Sequence, residues 1–191
     1  MENKVVFIIP GYNESQNLSR YKKVAKFFKE KGMKVVPVNI KWKYRVMSDY
    51  LKQFKEIFDK NRGSQNYFFG FSFGAFIAFD SAVELKPKAI FLCSLSPYFL
   101  EDFNVFPKSW LKGDKKRTAD MKNFSFDKMV GQVKSEIYAF VGEKEHKILI
   151  DRAKKLKNKN RRCSLKVIKG AKHYLSEKYL EEVEKMLRKS N

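Results

Sequence analysis

The segment 67–79, Tyr-Phe-Phe-Gly-Phe-Ser-Phe-Gly-Ala-Phe-Ile-Ala-Phe, constrains this chain more than any other. Tyr67, Phe68 and Phe69 read as a buried strand running into the turn Gly70-Phe71-Ser72-Phe73-Gly74, and a nearly all-apolar helix follows at once. A serine on so sharp a strand-to-helix turn must take an unfavourable backbone conformation, and its near neighbours must be tiny so that strand and helix can approach. Gly70 and Gly74 supply that space. Three small residues in five positions recur by chance in loops. The buried strand before them and the buried helix after them give the pattern its weight as a nucleophile elbow.

Such a turn needs a sheet to stand on, and the rest of the chain supplies one. Residues 5–9, Val-Val-Phe-Ile-Ile, form a continuous run of strand formers broken by Pro10-Gly11-Tyr12-Asn13. Leu18, Tyr21, Ala25 and Phe28 at helical spacing predict a helix over 14–31, with Gly32 at its C-terminal cap. A second strand over 34–38 and a helix over 48–61 follow, the latter with Leu51, Phe54 and Phe58 on one face and Gly63 beyond its end. The helix after Ser72 runs to about residue 85, is apolar around most of its circumference, and stops at Lys86-Pro87. A fourth strand over 89–95 leads into a long irregular tract ending near 134. Then come a strand over 136–141, a helix over 147–157, a strand over 164–168 and a final amphipathic helix carrying Leu180, Val183 and Leu187. Strands that read as unbroken apolar runs and alternate with helices predict a three-layer α/β/α sandwich on a mostly parallel six-stranded sheet. With 191 residues, the chain suits a single domain over 1–191. In such a sheet the reactive groups collect at the carboxyl ends of the strands, near the switch in strand order.

Composition narrows the function classes. At 43% hydrophobic and 15% aromatic residues the chain is globular, neither disordered nor fibrous. The formal charge of +20 would suit an anionic partner, but the cations are spread along nearly every helix and loop. No nucleic-acid-binding module has a readable signature, so no specific nucleic-acid partner is expected. The densest cluster, 154–162, reads as a solvated helix end. No apolar run reaches the ~18 to 20 residues that span a bilayer. The N-terminus shows no secretory pattern, and a cytoplasmic protein is expected. Cys93 and Cys163 lie at or near strands without metal-ligand spacing, which predicts buried free thiols, no metal and no cofactor. No sequence signature sets an oligomeric state.

Serine is a weak nucleophile near neutral pH, so Ser72 needs a base, and the base needs a third group to hold its tautomer. Of the two histidines, His173 lies in Gly170-Ala171-Lys172-His173, just past the last strand and therefore at the reactive edge. The third group should be a carboxylate between nucleophile and base in the chain. Gly142-Glu143-Lys144-Glu145-His146 offers two, and Glu145 is the choice because a Gly-x-x-acid turn would face it toward the histidine loop. Glu143 competes, since a small shift of the loop would exchange them, and Asp102 or Glu101 after the fourth strand is a third option. His146 has no metal-ligand partners spaced around it and reads as surface. An acyl-transfer serine also needs oxyanion donors, assigned to the backbone N–H groups of Phe73 and Tyr12.

In this order the Pro10-Gly11-Tyr12-Asn13 turn, the Gly70–Gly74 elbow, the Gly142–Glu145 loop and Gly170-Ala171-Lys172-His173 resemble the α/β-hydrolase superfamily over nearly the whole chain. The chain looks like one of its small, minimally decorated members. The resemblance implies a Ser-His-acid hydrolase of carboxylic esters, thioesters or small amides, working through an acyl-enzyme on a small, apolar acyl substrate. Two departures stand out: Pro10, where many members carry histidine, and glutamate, where aspartate is commoner. The superfamily also holds members without activity, so the alternative is a catalytically inactive binding protein on this fold. Residues 97–130 carry Tyr98, Phe99, Phe103, Phe106 and Trp110 where a small cap or lid often forms in the superfamily; equally, these rings could fill the core beneath a long loop.

Overall fold

The apolar runs become strands covered on both faces. A computed structural model describes residues 3–104 and 115–189, the side chain of Lys189 excepted. Its strands are β1 (Lys4–Ile9), β2 (Lys34–Pro37), β3 (Gln65–Phe71), β4 (Ala89–Cys93), β5 (Glu136–Gly142) and β6 (Cys163–Ile168). They lie in the order β2-β1-β3-β4-β5-β6, and every neighbouring pair is parallel. The direction of strand order therefore reverses at β1, which places the crevice of the sheet between the ends of β1 and β3.

The pleat divides each central strand between two cores. Val5, Phe7 and Ile9 of β1, Phe68 of β3 and Ile90 and Leu92 of β4 join one; Val6, Ile8, Phe69, Phe71, Phe91 and Cys93 join the other. Edge strands β2 and β6 keep exposed positions, as expected of strands with one free side.

The helices are α1 (Ser19–Glu30), α2 (Met47–Asn61), α3 (Phe73–Leu85), α4 (Lys115–Met121), α5 (Phe126–Met129), α6 (Lys147–Lys159) and α7 (Glu177–Lys189). Tyr50, Phe54 and Phe58 of α2, the buried side of α3 and Leu156 of α6 cover the first face. Tyr21, Val24 and Phe28 of α1, with Tyr179, Leu180, Val183 and Leu187 of α7, cover the second. The result is the expected three layers.

Two expectations need correction. Helix α1 begins at Ser19, because residues 14–18 are taken up by turns in which Glu14 N–H donates to Gly11 C=O (3.1 Å) and Leu18 N–H to Ser15 C=O (3.2 Å). The described part of the tract 96–134 is also ordered, holding a 3-10 turn (Leu100–Asp102) as well as α4 and α5. Helices of four and seven residues are too short to show a periodicity. Glu101 fastens α5 by accepting the N–H of Phe126 (2.9 Å) and of Asp127 (3.1 Å) and the hydroxyl of Ser125 (2.6 Å). Tyr98 and Phe99 are buried in the first core against Phe76 and Phe124, Phe103 is half-buried, and Phe106 and Trp110 lie outside the described residues. Both cysteines are buried and unpaired. Among the described residues no helix is long and apolar enough to cross a membrane.

Candidate active site

Ser72 sits between β3 and α3 at φ 55°, ψ −116°, a region that costs a non-glycine residue about 1–3 kcal/mol. Its neighbours explain how the turn is possible. A Cβ at Gly70 would run into the carbonyl of Gly74, and one at Gly74 would run into the carbonyl of Ile9, so β3, α3 and β1 touch through bare backbone. The Ser72 N–H donates to Cys93 C=O (2.9 Å), and its C=O accepts from Ala75 (3.0 Å) and Phe76 (3.1 Å). A serine at a helix N-cap ordinarily spends its hydroxyl on the first turn. This one makes no such cap, and its Oγ lies 3.1 Å from His173 Nε2.

His173 stands on the loop between β6 and α7, half-exposed, with the Phe71 ring against it at 5.2 Å and 32°. Its Nδ1 lies 2.8 Å from Glu145 Oε2. The Glu145 side chain is wholly buried, and its other oxygen accepts the Gly142 N–H (2.7 Å), the Ser94 hydroxyl (2.8 Å) and the Tyr179 hydroxyl. Burial pushes this carboxyl up, but the hydrogen bonds from His173, Tyr179, Gly142 and Ser94 outweigh it and hold the group below the usual glutamate value. An ionised carboxylate only accepts, so Nδ1 must carry the imidazole proton, which leaves Nε2 free to accept from the Ser72 hydroxyl. The arrangement can therefore draw a proton from Ser72 and compensate the imidazolium that results.

The other acids are engaged elsewhere. Glu143 is exposed and accepts the Gly170 N–H (2.8 Å), while Glu143 N–H and Lys144 N–H donate to Ile168 (3.0 Å) and Ala171 (2.8 Å), joining the acid loop to the histidine loop. Asp102 is buried against the Arg152 guanidinium, and Glu101 caps α5 as described above. His146 is exposed and accepts the Ile148 N–H at the start of α6 (3.4 Å). In the cationic cluster Lys155 and Lys159 both meet Asp127, and Arg162 meets Glu136.

Tyr12 follows β1 and Phe73, the residue after Ser72, opens α3; their rings pack at 5.2 Å. Trp42 backs Tyr12 at 5.5 Å and Tyr98 backs Phe73 at 5.7 Å. Among the described residues neither the Tyr12 nor the Phe73 backbone N–H donates to another group. The Phe73 N–H is one of the donors that a helix N-terminus leaves unpaired. Among the described residues no group of three or more His, Cys, Asp or Glu side chains could hold a metal ion.

Sequence reasoning missed Ser94 and Tyr179, the two side chains that complete the shell of Glu145. Tyr179 shares the apolar face of α7 with Val183, four positions on, so its spacing announced burial but not the target of its hydroxyl. Nothing around Ser94 in the sequence marks it. It adopts φ 56° at the end of β4, and only the structure brings it within 2.8 Å of both Glu145 and Tyr179.

No protein-family model matches the chain, and no curated protein matches it. Solved structures do. Est1E from Butyrivibrio proteoclasticus superposes with a TM-score of 0.84 at 15% identity, covering 98% of this chain and 86% of that one. The mouse α/β hydrolase domain-containing protein 10 gives 0.77 at 12% identity over 97% and 88% of the two chains. The Pyrococcus furiosus esterase Pf2001 gives 0.71 at 19% identity over 98% and 83%. Identities this low speak to architecture alone, and together with the parallel sheet whose order reverses at β1 they establish that the chain has the α/β-hydrolase fold.

Proposed function

We propose that the protein is a serine hydrolase that cleaves carboxylic esters, thioesters or small amides through an acyl-enzyme. The reading rests on one observation: a continuous hydrogen-bonded line from Ser72 Oγ through the His173 ring to the buried Glu145 carboxylate. Ser72 Oγ attacks the substrate carbonyl carbon as its proton passes to His173 Nε2. The carbonyl oxygen becomes an oxyanion, which the Phe73 and Tyr12 N–H groups receive. Collapse expels the alcohol, thiol or amine, protonated by His173, and a water activated by the same nitrogen then releases the acyl group. Glu145 stays ionised throughout and stabilises the imidazolium.

The substrate is a small molecule with an apolar acyl or aryl group, taken against the rings of Tyr12 and Phe73. Within the described part of the tract after β4, α4 serves as a small cap, its Arg117 lying over the Tyr12 ring at 5.7 Å, and the protein works in the cytoplasm. Est1E, one of the similar structures, has been solved with ferulic acid bound, so aryl esters are the first series to try beside alkyl esters of increasing length.

The test is labelling with a fluorophosphonate, followed by intact mass, alongside turnover of chromogenic esters. Wild-type protein should take up one label. Ser72→Ala should take up none and lose turnover by about 10³-fold or more. A label that persists in Ser72→Ala, or an ester activity indifferent to it, overturns the proposal.

A further inference from the structure

The turn that carries Tyr12 is held by a group of buried and half-buried side chains outside the Ser72–His173–Glu145 line. Gly11 N–H donates to the Tyr21 hydroxyl (2.8 Å) and to Glu14 Oε2 (3.3 Å), and Tyr21 donates its own proton to that same Glu14 oxygen. Glu14 Oε1 accepts from Arg20 Nη2 at 2.6 Å, with the two side chains only 21% and 15% exposed. Arg20 then reaches across the molecule: its Nη1 donates to the Tyr174 hydroxyl (3.3 Å), and its guanidinium lies over the Tyr174 ring at 4.9 Å. Tyr174 is the residue after His173.

We infer that Glu14, with Tyr21 and Arg20, is a positioning brace that aims the Tyr12 N–H at the reacting carbonyl and ties that turn to the histidine loop. The inference rests on the hydrolase reading above. The peptide between Gly11 and Tyr12 is planar and trans, so its C=O and N–H point in opposite directions. Glu14 N–H fixes the C=O end at 3.1 Å, and Tyr21 and the Glu14 carboxylate fix the preceding peptide through the Gly11 N–H. With both peptides held, the Tyr12 N–H has one direction left to it. The site is crowded as well, since a Cβ at Gly11 would meet Glu14 Oε2 and Phe71 Cδ1, both at 3.0 Å, and the Phe71 ring is the one packed on His173. Preset donors are effective because no reorganisation is required as the oxyanion forms.

Glu14→Gln and Tyr21→Phe test the brace with little change of volume. The glutamine places an NH2 against either Arg20 or the Gly11 and Tyr21 donors, and the phenylalanine removes a single hydroxyl. Losing an oxyanion donor outright costs about 10² to 10³-fold in kcat, so a misaimed donor should cost about 10-fold in each variant while KM stays within about 2-fold. A trifluoromethyl ketone, whose adduct places an oxyanion on the same donors, should bind more weakly by the same factor as kcat falls. Active sites are counted by fluorophosphonate titration, so that a poorly folded fraction does not enter kcat. The double variant should be no worse than about either single one, because the two side chains act as one unit. Unchanged kcat in both variants, or a lower kcat with undiminished affinity for the ketone, overturns the inference. If Ser72→Ala abolishes turnover while Glu14→Gln is indifferent, the brace alone falls; turnover that survives Ser72→Ala removes both readings.

Discussion

Glu145 shows how one side chain is selected among several that a sequence offers. Of the four acids placed near the strand ends, Glu143 holds a turn, Glu101 caps a helix and Asp102 meets an arginine. Only Glu145 has an oxygen on His173, because its other oxygen is fully used by Gly142, Ser94 and Tyr179. Glu145→Gln should therefore lower kcat by about 10³ to 10⁴-fold, since the amide can no longer fix the Nδ1–H tautomer. Glu143→Gln should remain within about 3-fold of wild type, because its exposed carboxylate accepts the Gly170 N–H rather than a proton of His173. Comparable losses in the two variants on the same ester would refute the assignment. The same carboxyl shapes the acid stability of the protein. Its folded pKa lies below the ordinary glutamate value, so the stabilisation is complete above the unfolded value and disappears as the pH falls through the folded one.

At the scale of the element, α3 carries an anomaly that its apolar sequence does not resolve. Six of its first eight positions are buried, yet Asp80 sits on it with a carboxyl pushed up to about 7, first by burial and then by the nearby Glu84. The folded pKa is raised above the ordinary 3.8, so the ionised form costs stability above pH 7, and that cost is relieved as the pH falls from about 7 toward 3.8. Asp80→Asn should raise the melting temperature at pH 8 by several degrees, and by progressively less at pH 6 and pH 5; a gain that does not shrink with falling pH would contradict this. Elsewhere, each element followed from its own signals when it was long enough to show them. The apolar runs of β1, β3 and β4 and the spacing of Phe54 and Phe58 in α2 read correctly, although Tyr50 is the buried third residue of that face and Leu51, expected there, is only partly buried; α4 and α5 are too short for any period, and α5 depends on a cap supplied by the distant Glu101.

Across the whole molecule, the tract after β4 is joined to α6 by a buried pair. Arg152 meets Asp102 with both side chains about 5% exposed or less, and its guanidinium lies 4.7 Å from the centre of the Phe99 ring and 4.2 Å from that of Phe126. Burial already holds the Asp102 carboxyl above its usual value, with Arg152 opposing. Arg152→Met should therefore cost about 3 to 5 kcal/mol in urea unfolding at pH 7, and less at pH 5 as Asp102 takes up a proton. Folded variant should keep near wild-type turnover, because Asp102 is not the partner of His173. The sequence by itself determined the three layers, the strand-turn-helix around Ser72 and the placement of the glutamate and histidine loops just past their strands. Those features are written in local apolar periodicity and in small residues at a turn, which act over a few neighbours in the chain. Only the tertiary structure decided which acid faces His173, that Ser94 and Tyr179 hold it, and that Glu14, Tyr21 and Arg20 gather behind Gly11. These contacts join residues as far apart as Arg20 and Tyr174, and a hydrogen bond between side chains 154 positions apart leaves no period in the sequence to read.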